Sequence, residues 1–134
     1  MENEDIIGKP VAETLTEVLQ EIAVQVSDES QVTVHCSYTA RESGDMIRIW
    51  PTTFLNANDL THKSELVHCE NITLYPEWTE VEEGQTLRFT LLFTGLPKSC
   101  ISFDLVEEIP EPGGFTFRNI ERNNSDVYVI GIKS

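Results

Sequence analysis

Leu87-Arg88-Phe89-Thr90-Leu91-Leu92-Phe93-Thr94 is the stretch on which the fold turns. Leu87, Phe89, Leu91 and Phe93 fall at alternate positions, with Arg88, Thr90 and Thr94 on the other parity. Successive side chains of a strand point to opposite faces, so this period of two predicts a strand with one apolar face and one wet face. A helix would space its apolar residues three and four apart. Glu82-Glu83-Gly84-Gln85 before the stretch and Gly95-Leu96-Pro97-Lys98 after it are turn-forming.

Upstream, Val32, Val34, Cys36 and Tyr38 alternate with Thr33, His35, Ser37 and Thr39, which predicts a strand over 31–39. Ile22, Val24 and Val26 alternate too, and Ser27-Asp28-Glu29-Ser30 could turn them into a hairpin partner. Leu15, Val18, Leu19, Ile22 and Val26 also lie at helical spacing behind Pro10, so a short helix is expected over 11–21, with 1–9 frayed. Ser43-Gly44-Asp45 is a turn signal. Met46 to Trp50 reads as a strand that Pro51 ends, because proline has no N–H for a central ladder. Residues 52–64 read as loop, 65–75 as strand, and Tyr75-Pro76-Glu77-Trp78 as a turn.

Downstream, strands are expected over 101–107, 115–120 and 126–132, with Pro110-Glu111-Pro112-Gly113-Gly114 as a rigid loop. The last strand is apolar on both parities, which predicts a central position. Seven or eight short strands separated by turns imply a mainly β chain. The expected architecture is an immunoglobulin-like antiparallel β-sandwich with a short N-terminal helix, one domain over 10–134. Trp50 does lie between Cys36 and Cys69, but those cysteines are too close for the immunoglobulin Cys–Trp–Cys core, so the resemblance is to an architecture alone.

The 134 residues carry 23 acidic and 9 basic side chains, a net charge of −14. The basic residues never form a run, which argues against nucleic acid and against an anionic membrane surface. No apolar run reaches the ~20 residues of a membrane span, and Met1-Glu2-Asn3-Glu4-Asp5 is acidic where a secretory n-region would be positive. Three widely spread cysteines cannot all pair, so reduced thiols and a cytoplasmic location are expected.

His35-Cys36, His68-Cys69, His62 and Cys100 contain metal-ligating and nucleophilic residue types. Strand neighbours point apart, so each His-Cys pair can give only one residue to a shared site. The spacing matches no zinc signature. Cys100, following Lys98 in a turn, is the most reactive thiol candidate. The acidic groups Glu77, Glu80, Glu82, Glu83 and Asp104, Glu107, Glu108, Glu111 read as solvated faces, because calcium loops favour Asp and Asn. No catalytic residue, cofactor or metal is expected. The function this leaves is a noncatalytic protein-binding or assembly module, with a protein partner or self-association. A small metal or thiol enzyme, or a structural domain of a secreted or surface assembly, are the alternatives. The candidate binding residues are Trp50, Phe54, Tyr75 and Trp78, aromatics near strand ends and loops.

Overall fold

A computed structural model describes residues 30–133. The expected helix at 11–21 and the strand at 22–26 lie outside these residues. The described chain is mainly β. Its strands are β1 (Val32–Thr39), β2 (Met46–Ile47), β3 (Thr53–Ala57), β4 (Lys63–Glu70), β5 (Thr79–Glu80), β6 (Thr86–Phe93), β7 (Ser102–Glu107), β8 (Thr116–Glu121) and β9 (Val127–Ile132).

Seven of them form one sheet in the order β8-β7-β3-β4-β6-β1-β9, and β2 pairs with β5 in a small second sheet. Strand β4 bridges two halves of the large sheet. Its start, Lys63 to Glu65, pairs with β3, and its later part, Leu66 to Glu70, pairs with β6 across a register shift between Leu66 and His68. Such an irregularity lets one strand bend from one half to the other.

Strands β8 and β9 stand at opposite ends of this order, yet only residues 122–126 join them. In a flat sheet seven strands would put those ends about 29 Å apart. A connection of that length reaches roughly 20 Å when fully extended. The sheet therefore curls, and its concave face encloses the core. Phe103 of β7 meets Tyr128 of β9 edge to face, with ring centroids 5.0 Å apart. Val32, Val34, Cys36, Leu55, Phe89, Leu91, Phe93, Phe103 and Leu105 are buried in one cluster.

The alternation of β1 and β6 is realised as read. Cys36, Phe89, Leu91 and Phe93 are buried, Leu87 is half-buried, and Arg88 and Thr94 are exposed. Four expectations are corrected. The sheet is mixed rather than antiparallel throughout, because β9 runs parallel to β1 from Thr33↔Val127 to Tyr38↔Ile132. Residues 53–57 form a strand and not a loop: Thr53, Phe54, Leu55 and Ala57 are all buried, so burial on both faces leaves no alternation to read. The Met46–Trp50 segment pairs only at Met46 and Ile47, plus an isolated parallel bridge between Ile49 and Leu74. The last strand ends the order among the described residues instead of lying inside it, with Val127 and Val129 exposed.

Candidate functional site

The Ile49–Leu74 bridge builds the site. Ile49 N–H donates to the Thr73 carbonyl and Tyr75 N–H to that of Ile49, each at 2.9 Å. This sets Trp50 beside Tyr75, and their rings stack at 3.9 Å with an interplanar angle of 26°. A tight turn follows, closed by Glu77 N–H on the Leu74 carbonyl and by Thr73 Oγ1 on the Glu77 carbonyl. The turn presents Trp78.

Arg48 ties these rings together. Its guanidinium carbon lies 3.8 Å from the Trp78 ring centroid, 4.6 Å from that of Tyr75 and 5.7 Å from that of Trp50. Its Nη1 donates to the Pro76 carbonyl at 3.0 Å. Cation–π contacts contribute roughly 0.5–1 kcal/mol where exposed and more where water is excluded. Arg48 Nε, by contrast, is buried with no hydrogen-bond partner among the described residues. An unmet buried donor costs roughly 1–3 kcal/mol.

A pocket of about 370 Å³ opens beside the ladder. Trp50, Trp78 and Arg48 line it together with Ile109, Pro112 and Gly113, and Ile47, Phe115 and Ile132 add apolar surface. Glu107 also lines it and is only 8% exposed. Its Oε2 accepts the Trp50 N–H at 3.1 Å. Burial pushes the Glu107 carboxyl up, partly offset by the backbone N–H groups of Trp50 and Phe115 and by the charge of Arg48. Next to these residues the backbone is close-packed at Gly114, where any Cβ would run into the Glu107 carbonyl.

Three of the four candidate residues, Trp50, Tyr75 and Trp78, are thus brought together. Phe54 is not with them. It is buried in β3, with Lys63 Nζ 3.9 Å from its ring, and borders a separate hollow with Pro51, Thr52 and Glu65. Arg48 and Glu107 were missed. The parity of Arg48 and Trp50 in 46–50 was the available signal for the first. Glu107 was hidden in an acidic run that otherwise suggests a wet face.

The Cys/His set is dispersed. His35 and Cys36 point to opposite faces, the first exposed and the second buried. His62 bonds Ser64 Oγ and the Gly95 carbonyl, and His68 lies 3.3 Å from Glu70. Among the described residues no group of three or more His, Cys, Asp or Glu could hold a metal ion. All three cysteines are free thiols. Cys100 is not the exposed thiol its turn suggests: it is buried and its Sγ meets the Ser102 carbonyl at 3.1 Å. Burial pushes the Cys36 thiol up to about 12 and also raises that of Cys69. A thiol reagent at pH 8 is therefore expected to modify half-buried Cys69 first and to spare Cys36 and Cys100 until the fold opens. Mass spectrometry of folded and urea-treated protein checks this, and equal labelling of Cys36 in both states would refute it.

The chain matches no family model, no curated protein and no solved structure. No helix among the described residues is long and apolar enough to cross a membrane.

Proposed function

We propose that this chain is a noncatalytic protein-binding or assembly module whose recognition surface is the Arg48–Trp50–Tyr75–Trp78 ladder and the pocket beside it. The observation that carries this reading is Trp78, which is 48% exposed although Arg48 holds its ring in place. A large side chain ordered before binding loses little conformational freedom on association. Trp, Tyr and Arg are also the residues that dominate interface energetics. Met46, Leu74 and Tyr75 expose further apolar area around the same ladder. A pocket of this size is near the lower bound of the ~300–1,000 Å³ usual for ligand clefts, so it suits one or two side chains of a partner.

An immunoglobulin-like sandwich is the architecture we assign to the scaffold. The sharing of β4 between both halves and the contact of Phe103 with Tyr128 support it. Three free thiols support a reducing compartment such as the cytoplasm. An excess of carboxylates with dispersed basic residues favours a protein partner over nucleic acid or an anionic membrane.

The test is a set of peptides selected by display on the immobilised protein. Trp78→Ser is expected to weaken the selected peptides at least tenfold, about 1.4 kcal/mol, while the circular dichroism spectrum is unchanged. Undiminished binding to that variant would refute the proposed surface.

A further inference from the structure

Among the described residues the outer edge of β9 is unpaired, and the strand leads to the same pocket. Thr33 N–H donates to the Asp126 carbonyl at 2.9 Å. The regular alternation of a parallel ladder then turns the backbone groups of Tyr128, Ile130 and Ile132 toward β1. Those of Val127, Val129 and Gly131 point the other way. Val127 is capped locally: Asn123 Nδ2 donates to its carbonyl at 2.9 Å, and its N–H meets Ser125 Oγ at 3.3 Å. Among the described residues nothing caps Val129 or Gly131 in this way, and Val129 is 80% exposed.

The opposite edge is guarded. Strand β8 has a register shift against β7, a left-handed residue at Asn119 (φ 57°), and the charges of Arg118 and Glu121. These are devices that deter strand addition. Val-Tyr-Val-Ile-Gly-Ile in β9 has no charge, and its pairing with β1 shows no shift. The strand ends at Ile132, which with the following Lys133 lines the pocket beside Trp50 and Trp78. A segment paired to Val129 and Gly131 and continuing past Ile132 would place a side chain in that pocket.

Charge selects the occupant. Glu107 and Glu111 line the pocket with Arg48 and Lys133, the adjoining segments add Glu77, Glu80 and Glu108, and the chain carries a net charge of −14. A second copy brings the same negative field and is repelled; a basic segment is attracted. We infer that β9 accepts an extended basic segment of another protein as an added strand, its backbone on Val129 and Gly131 and one apolar side chain in the Trp50–Trp78 pocket. This rests on the recognition surface proposed above and adds both the mode and the charge class of its partner.

The probe is the acetylated, amidated nonapeptide Lys-Lys-Thr-Val-Leu-Val-Thr-Lys-Lys, titrated into the full chain by calorimetry. It is expected to bind saturably, more weakly as salt rises, and at least tenfold more tightly than the analogue with Glu for every Lys. The Val129 N–H faces outward, so Val129→Pro leaves the β1 ladder intact and is expected to cut affinity at least tenfold with little change in melting temperature. Should that variant unfold, N-methylating alternate amides of the peptide tests the same hydrogen bonds on the native protein. Full affinity after either change overturns strand addition while the recognition surface stands. Equal affinity of the Glu analogue overturns the basic class. Affinity unaffected by Trp78→Ser overturns the pocket, and the proposed surface with it. No binding of the nonapeptide at millimolar concentration overturns the inference outright.

Discussion

Phe89→Ala is expected to lower the unfolding free energy by about 3–5 kcal/mol, the usual cost of truncating a buried aromatic side chain. Phe89 is buried on β6, opposite Cys36 in the β1 register and on the same face as Leu91 and Phe93. Truncation removes apolar burial and leaves a cavity that two hydrogen-bonded strands cannot close by moving together. Denaturant unfolding followed by circular dichroism measures the loss. A value below ~1 kcal/mol would place Phe89 outside the core and would contradict the face assigned to β6.

Arg122→Ala is expected to cost a comparable amount for an electrostatic reason. The guanidinium is held by Asp126 through Nε at 2.6 Å and Nη2 at 3.0 Å. Its Nη1 also donates to the Pro97 carbonyl at 2.9 Å and to that of Cys100 at 3.0 Å. These bonds join the turn between β8 and β9 to the turn before β7. Removing the cation leaves the buried Asp126 carboxylate without its counter-charge and two carbonyls without donors. Breaking a buried pair from one side costs about 3–5 kcal/mol. Asp126→Asn in the same background is expected to restore part of the loss by removing the stranded charge. A loss below ~1 kcal/mol for Arg122→Ala alone would refute this account of the corner.

The same pair sets an acid limit. Burial acts to raise the Asp126 pKa, but hydrogen bonds from Arg122 and Tyr128 outweigh it and hold the carboxyl below its ordinary 3.8. A carboxylate depressed in the folded state contributes stability above its unfolded value, and that stability is lost as pH falls through the folded value. Acid unfolding of Asp126→Asn should therefore depend less on pH below about 4 than that of the parent protein. Glu107 acts in the opposite sense. Its raised folded value means that its contribution is greatest at low pH and is lost as pH rises through that value.

Elements with one wet face were legible in the sequence. Strands β1 and β6 and the burial of Cys36 follow from alternation alone. Strand β3 was not legible, because Thr53, Phe54, Leu55 and Ala57 are buried on both faces. The reverse occurs at β9, where Val127 and Val129 are apolar but exposed, so an apolar pattern suggested a central strand at what is an edge among the described residues. Trp50, Tyr75 and Trp78 could be picked out as aromatics at strand ends. Their convergence on Arg48 depends on the Ile49–Leu74 bridge, a pairing that no local pattern encodes. The Arg122–Asp126 pair was hidden for a similar reason. Its spacing resembles a helical pair, whereas Arg122 also ties in carbonyls more than twenty residues away.

Whether the aromatic ladder recognises a partner or only packs beneath loops is decided most directly by one thermal melt of Trp78→Ser against the parent chain. A half-exposed ring that contributes mainly a cation–π contact should cost about 1 kcal/mol or less, a melting shift of roughly 3–5 °C at most for a chain of this size. A fall beyond ~12 °C, matching the ~3 kcal/mol or more of a buried tryptophan, would make Trp78 a core residue and contradict the assignment of this surface to binding.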